Sequence, residues 1–315
     1  MPDSPLIIGI DFGGTSVKIA VVFQSHIIDS APPIATQEFT SPAELIAAIV
    51  CEVEVLRGKH PGVAAIGVGM PGLVDFETGL VYGLTNVQGW SSIPLKKLLQ
   101  EQTGLPVVVE NDANCMGFGE WKCGAARGLK HVVFITLGTG VGGAIIANGQ
   151  MIRGAFHSAG EIGQTSIDYQ GRPGHYGNLG ALEDYIGNCE ITAAAHAAYL
   201  AAGVEKPLTE CTPAALATAA HQGDLIALAQ WNAIGRMLAT AAMNCCWLLN
   251  PEAIVIGGGV ARAGEILLQP FKNHLFPQLS ASFKDHLRIL PAAFGHEAGI
   301  IGAAALAREA ISIRV

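Results

Sequence analysis

Two stretches of the chain share one pattern, in which a β-rich apolar run, a glycine turn and a second β-rich run follow one another. The first is LIIGIDFGGTSVKIAVVF over residues 6–23, and the second is HVVFITLGTGVGGAIIA over residues 131–147. Each pattern predicts a hairpin of buried strands with a glycine-rich turn. One such hairpin is a weak signal, but two of them about one domain apart indicate a duplicated α/β unit around a shared cleft.

Strands alternate with helices in the rest of the chain, which favours a mostly parallel or mixed sheet. A helix over 41–57 is opened by Ser41-Pro42, because serine caps helices and proline suits their first turn. The other predicted elements are strands at 63–68, 107–109 and 253–256, helices at 94–103, 114–123, 181–200, 213–219, 225–249 and 299–311, and a long loop at 166–180.

Composition limits the class of protein. The chain has 315 residues, of which 50% are hydrophobic and 14% charged, so it has enough apolar material for two domains and is not mainly disordered. The net charge of −8 disfavours nucleic acid as a main partner, since phosphate backbones need clustered basic residues.

Cysteine usage and hydropathy indicate a cytoplasmic protein. The seven cysteines are odd in number and include no CxxC pair, so we expect reduced thiols. The most apolar long stretch, 237–249, is too short to span a bilayer, and no signal peptide is apparent at the N-terminus. We therefore expect no membrane association.

The first glycine turn carries groups that suit a nucleotide phosphate. Gly13 and Gly14 let backbone N–H groups approach phosphate oxygens, Thr15 adds a hydroxyl, and Lys18 adds positive charge. Asp11 ends the first strand and is placed to hold Mg²⁺, directly or through water. The alternative is a plain β-turn with a surface lysine.

The second turn contains four glycines and two threonines in the eight residues 136–143. So many glycines are costly in chain entropy for an ordinary turn. We interpret Thr136, Gly138, Thr139 and Gly140 as a second phosphate-binding turn, with a β-bulge or packing turn as the alternative.

Asn111 and Asp112 follow the strand at 107–109, where α/β proteins place ligands. A sugar hydroxyl is a weak nucleophile, so its phosphorylation needs a base, and Asp112 fits that role while Asn111 can bind a sugar hydroxyl. The alternative is that Asp112 only caps the helix at 114–123.

Two further sites are weaker candidates. Glu161 and Glu183 could accept hydrogen bonds from sugar hydroxyls, although a glutamate in either sequence context alone is more often a solvated or helix-capping residue. Gly258 and Gly259 follow a strand and could receive a base or ribose, or form a packing turn.

In order and spacing, these segments resemble the ROK (repressor, open reading frame, kinase) family of sugar kinases. The resemblance covers nearly the whole chain, through GIDFGGTSVK, GVGMPGLVD, LTNVQGW, VENDANCMGFGEW, TLGTGVGGAII, GEIG, GALE and IVIGGGV. It implies an α/β, two-domain fold like that of actin and hexokinase, the ribonuclease H-like ATPase fold with an interdomain cleft. One domain would comprise 1–114 with 298–315, and the larger one 115–297.

The resemblance also implies roles for residues. Asp112 corresponds to the base, Asn111, Glu161 and Glu183 to sugar ligands, and Gly72 to the wall of the sugar pocket. The nucleotide contacts implied are Gly13, Gly14, Thr15, Gly138, Thr139, Gly140, Gly258 and Gly259. ATP and Mg²⁺ would be the cofactors, and a homodimer the assembly.

One departure concerns a structural zinc site. The family holds zinc with a histidine after the GE-x-G segment and three cysteines, but Gln164, Gly174, Tyr176 and Ala181 stand at those four positions. These side chains cannot form a tetrahedral thiolate site, so we expect no zinc. The family's histidine also touches the sugar, which makes Gln164 a candidate for sugar binding and specificity.

We therefore predict ATP-dependent phosphorylation of a hexose or hexose derivative. The alternatives are a kinase that uses polyphosphate and a catalytically silent sugar-binding or regulatory protein. A DNA-binding repressor of the family would carry an N-terminal helix-turn-helix, for which a glycine turn starting at Gly13 leaves no room.

Overall fold

The structure is a computed structural model that describes residues 5–84, 87 and 89–313. The chain divides into two compact units. The first unit comprises Met1–Gly128, Ile152–Ala159 and His296–Val315, and the second comprises Leu129–Met151 and Gly160–Gly295.

The strands and helices are numbered in chain order. The strands are β1 (Leu6–Phe12), β2 (Ser16–Phe23), β3 (His26–Ser30), β4 (Ile34–Ala35), β5 (Val63–Met70), β6 (Val74–Asp75), β7 (Leu80–Gly83), β8 (Ser91–Pro94), β9 (Val107–Asn111), β10 (Val132–Leu137), β11 (Val141–Ala147), β12 (Gln150–Met151), β13 (Ala253–Gly257) and β14 (Arg288–Pro291). The α-helices are α1 (Pro42–Lys59), α2 (Leu95–Thr103), α3 (Asp112–Lys122), α4 (Glu183–Ile186), α5 (Asn188–Ala201), α6 (Pro213–His221), α7 (Leu225–Leu249), α8 (Glu265–Leu275), α9 (Ala281–Lys284) and α10 (Ala298–Ser312).

The first unit is a mixed sheet with helices on both faces. Its strand order is β3-β2-β1-β5-β9, in which β2 is antiparallel to β1 whereas β5 and β9 run parallel to it. Buried side chains of α1 and α2 pack on one face, and those of α10 on the other. Ser41 caps α1 by accepting a hydrogen bond from the Glu44 N–H, as predicted. A small antiparallel sheet of β6, β7 and β8 has no counterpart in the predicted elements.

Helix α3 belongs to the first unit, whereas the predicted domain boundary at 114 lies inside this helix. The physical reason is its packing against α10. A Cβ at Gly119 would lie 3.0 Å from the Gly302 Cα, so the two backbones are in direct contact.

The second unit repeats the hairpin-led sheet. Its strand order is β12-β11-β10-β13-β14, with β11 antiparallel to β10 and β13 parallel to it. Helix α7 has the predicted bounds, 225–249. Apolar side chains of α5, α6, α7 and α8 pack with those of β10 and β13 into one buried cluster.

The single helix predicted over 181–200 is wrong, because it is broken into α4 and α5 at Gly187. This glycine is extended, with φ −66° and ψ 160°. A Cβ at this position would lie 2.9 Å from the Thr139 carbonyl oxygen, and the Asn188 N–H donates to the Gly138 carbonyl at 3.0 Å. The break therefore joins the start of α5 to the second glycine turn.

In the part of the chain that the structure describes, no helix combines the length and the hydropathy that crossing a membrane requires.

Candidate active site

The hairpin of β1 and β2 gathers the residues predicted for the first phosphate turn. Asp11 lies opposite Lys18 in the antiparallel register, and the Gly13 N–H donates to the Ser16 carbonyl at 2.9 Å to close the turn. Gly14 and Thr15 are exposed at its tip. The turn thus presents backbone and hydroxyl groups to solvent beside a carboxylate and an ammonium group.

Asp11 is buried, with only 7% of its surface exposed. Burial raises the pKa of its carboxyl group, and the charge of Lys18 opposes this rise only in part. Gly299, in the first turn of α10, lies so close that a Cβ there would be 2.6 Å from Asp11 Oδ1. Sequence reasoning missed Gly299, because only its contact with Asp11 distinguishes it from the other glycine of the helix.

Asn111 and Asp112 lie at the junction of β9 and α3. Asn111 is the helix cap, since its side-chain oxygen accepts from the Asn114 N–H at 3.0 Å, and its Nδ2 donates to the Gly72 carbonyl at 3.1 Å. Helix α3 begins at Asp112, whose Oδ1 accepts from the Ala113 N–H at 2.8 Å. The alternative that Asp112 serves only as the helix cap is therefore wrong. The predicted pair Asn111 and Gly72 is brought into contact.

Glu110 and Arg153 form an ion pair beside this junction that sequence reasoning did not find. Glu110 is 1% exposed, and its Oε2 accepts from Arg153 Nε at 2.6 Å. The two residues are far apart in the chain, and no spacing rule links them.

The hairpin of β10 and β11 forms the second predicted turn, and Glu183 is attached to it. The Gly138 N–H donates to the Gly140 carbonyl at 2.9 Å, and Glu183 Oε2 accepts from the Val141 N–H at 2.8 Å. A Cβ at Gly140 would overlap the Glu183 carboxylate, so a larger residue there would displace that side chain. Thr139 lies at the tip of the same turn.

The third glycine segment lies next to this second turn. Thr136 pairs in register with Gly257, and a Cβ at Gly258 would overlap the Leu137 backbone. Gly258 has φ +88°, which favours glycine, and Gly259 is exposed. Within the second unit, the structure therefore brings together the two segments predicted to bind nucleotide.

Gln164 and Glu161 are the other predicted site residues of the second unit. Gln164 Nε2 donates to Glu183 Oε1 at 3.2 Å, which leaves Gln164 Oε1 buried with no partner among the described residues. The pKa of Glu161 is raised, first because surrounding protein removes water from its carboxyl group and second because of the negative charge of Glu183, although the residue as a whole is exposed. The predicted sugar ligands Glu161, Gln164 and Glu183 therefore interact with one another.

The loop at the family's zinc positions is held by hydrogen bonds. Asn178 Nδ2 donates to the Gln164 carbonyl at 2.7 Å, the Gly174 N–H to the Asn178 carbonyl at 2.7 Å, and the Ile167 N–H to the Gly180 carbonyl at 2.9 Å. Among the described residues, no three His, Cys, Asp or Glu side chains cluster to hold a metal. In the LTNVQGW segment, Thr85, Asn86 and Gln88 lie outside the described residues.

Comparisons with known proteins agree with these features. The ROK family model matches residues 7–310. The glucokinase of Halalkalibacterium halodurans is 36% identical over 96% of this chain and 94% of its own length. A ROK family glucokinase from Streptomyces griseus, crystallised with glucose and AMPPNP, has a TM-score of 0.82 at 32% identity and covers 96% of this chain and 99% of its own.

A third similar structure, an inorganic polyphosphate/ATP-glucomannokinase from Arthrobacter sp. strain KM, has a TM-score of 0.62 at 25% identity, covering 99% and 100% of the two chains. The two hairpin-led α/β units and these likenesses define the actin- and hexokinase-like ATPase fold, as predicted. The chain belongs to the ROK family, which confirms the resemblance seen in its motifs.

Proposed function

We propose that this chain is a sugar kinase that transfers the γ-phosphoryl group of ATP to a hydroxyl of glucose or a closely related hexose, with Asp112 as general base. The observation that carries the proposal is the β9–α3 junction, where Asn111 caps the helix and is tied to Gly72 while Asp112 begins it. Its relatives named glucokinase support the same reaction class.

In this mechanism the carboxylate of Asp112 orients the sugar hydroxyl and accepts its proton. The hydroxyl oxygen forms the new bond to the γ-phosphorus as the bond from that phosphorus to the bridging oxygen of ADP breaks. Asn111, fixed by its bond to Gly72, is suited to donate or accept a hydrogen bond with a sugar hydroxyl. A positioned base of this kind contributes about 10²- to 10⁴-fold to the rate.

The glycine turns supply phosphate contacts from the backbone and from the hydroxyls of Thr15 and Thr139. Lys18 adds positive charge, and Gly258 and Gly259 contact the nucleotide. Asp11 fits a magnesium ion, because it is a buried carboxylate whose charge Lys18 compensates only in part. When bound, Mg²⁺ neutralises phosphate charge.

Sugar recognition falls to Glu161, Gln164 and Glu183. Buried polar atoms are nearly always hydrogen-bonded, so the unpartnered Oε1 of Gln164 is suited to accept from a sugar hydroxyl. The carboxylates accept from neighbouring hydroxyls. These acceptors favour a neutral polyhydroxy ligand over an anionic one.

A coupled kinase assay over aldoses, ketoses and amino sugars, with ATP and polyphosphate in parallel, tests the proposal. We expect the highest kcat/KM with glucose and ATP. Higher kcat/KM with polyphosphate would favour the second candidate, which the likeness to the polyphosphate/ATP-glucomannokinase supports. Sugar binding without consumption of either donor would instead indicate a silent sugar-binding protein.

The raised pKa of Glu161 predicts a pH dependence of the KM for glucose. Because its pKa is raised, Glu161 takes up a proton at a higher pH than an ordinary carboxyl group, so the KM should begin to rise at a higher pH than an ordinary glutamate would produce. Replacing Glu183 by glutamine removes the neighbouring negative charge, which lowers the pKa of Glu161 and should move this rise to lower pH. Steady-state kinetics across pH measure the shift.

The control for this measurement is Glu210→Gln, which removes the same charge from an exposed side chain of the second unit. It should leave the pH dependence unchanged. If the KM begins to rise at the same pH in Glu183→Gln as in the unmodified protein, Glu183 does not influence the pKa of Glu161.

A homodimer and a cytoplasmic location stay predictions. The structure has all seven cysteines as free thiols.

A further inference from the structure

We infer that Arg153 is a positioning residue for the catalytic base and acts through Glu110 on the start of α3. This inference rests on the proposed role of Asp112. Arg153 lies in the segment 152–159, which leaves the second unit after Met151 and belongs to the first unit by its contacts.

Glu110 ties the first turn of α3 to Arg153. Its Oε1 accepts from the Asn111 N–H at 2.8 Å and from Asn114 Nδ2 at 3.1 Å, and its Oε2 accepts from Arg153 Nε at 2.6 Å. Asn111 and Asn114, which flank Asp112 in the sequence, thus both donate to the Glu110 carboxylate. The direction in which Asp112 points depends on where that carboxylate is held.

Arg153 is itself held from two sides. Its guanidinium group lies 3.7 Å from the centre of the Phe76 ring, and its carbonyl accepts from the Ala159 N–H at 3.0 Å. A second tie of the same segment is the contact of His157 Nε2 with Asp75 Oδ1 at 3.5 Å. Because both its guanidinium group and its backbone are held in place, Arg153 can hold the Glu110 carboxylate in one position.

The burial of Glu110 explains why loss of Arg153 should affect Asp112. Glu110 is almost fully buried, and a buried carboxylate that loses its cation is strongly destabilising, so the side chain and its surroundings must rearrange. Such a rearrangement alters its hydrogen bonds to Asn111 and Asn114. Misplacement of a catalytic group by about 1 Å can cost about 100-fold in rate.

The test is Arg153→Met, which keeps the stem but removes the charge and the hydrogen-bond donors. We expect kcat for glucose phosphorylation to fall about 10- to 100-fold, with the KM for ATP unchanged within about twofold. The matched control is Lys206→Met, because Lys206 has similar side-chain exposure, lies over the Tyr199 ring and contacts Asp224. It should leave kcat unchanged.

Arg153→Lys keeps the charge and serves where the methionine variant does not fold. Its single amino group cannot both reach Glu110 and lie flat on Phe76, so we expect kcat about threefold or more below that of the unmodified protein. If Arg153→Met folds and its kcat is unchanged, the inference is overturned. If Arg153→Met does not fold, an unchanged kcat in Arg153→Lys overturns it.

Hydrogen exchange separates this inference from the proposed function. In Arg153→Met, or in Arg153→Lys if the methionine variant does not fold, we expect faster exchange of the amides in 110–115 and unchanged exchange in other segments of the first unit. This expectation holds whether or not the chain phosphorylates glucose. Unchanged exchange in 110–115 would refute the positioning role. An unmodified protein without kinase activity would refute the proposed function alone.

Discussion

Replacing Asp112 by asparagine is expected to lower kcat for glucose phosphorylation by about 10²- to 10⁴-fold, with little change in stability. Asparagine has the same shape and can still accept from the Ala113 N–H through Oδ1, so α3 keeps its start. It cannot take up the hydroxyl proton, however. The coupled assay measures kcat, and thermal unfolding measures stability.

The matched control is Asp224→Asn, because Asp224 also lies at a helix start. Its Oδ1 accepts from the N–H groups of Ile226 and Ala227 at the beginning of α7, a role that asparagine fills well. The kcat of Asp224→Asn should equal that of the unmodified protein. A wild-type rate in Asp112→Asn would remove Asp112 from the role of base.

The two hairpins with their glycine turns were predictable because each depends on local sequence. A glycine-rich turn between two apolar runs specifies a hairpin whatever surrounds it, and both hairpins are present. Whether Asn111 or Asp112 caps α3 was not predictable, since both residue types are favoured caps. The structure decides it, because Asn111 accepts from Asn114.

The features that sequence reasoning missed depend on partners distant in the chain. Arg153 is recognisable only by its contact with Glu110, and Gly299 only by its contact with Asp11. The break at Gly187 follows from its approach to the second glycine turn, which helical periodicity cannot show. Local patterns predict elements and turns, whereas tertiary contacts decide how these elements support the site.

Replacing Gly302 by alanine is expected to destabilise the first unit strongly. The new Cβ would overlap the carbonyl oxygen of Cys115, which is backbone of α3 and cannot rotate away. Such overpacking costs about 3 kcal/mol, which exceeds the roughly 1 kcal/mol that alanine gains over glycine in a helix. Urea unfolding should therefore show a net loss of about 2 kcal/mol, and kcat should fall because α3 carries Asp112.

Gly58→Ala is the control, since it makes the same substitution in helix α1 at an exposed site where a Cβ meets no atom within 4 Å. It should stabilise the protein by about 0.5–1 kcal/mol and leave kcat unchanged. The opposite signs of the two substitutions separate close backbone packing from helix propensity. Equal stability of Gly302→Ala and Gly58→Ala would show that α3 can move away from α10 at little cost. In that case the position of Asp112 would depend on Glu110 and Asn111 rather than on helix packing.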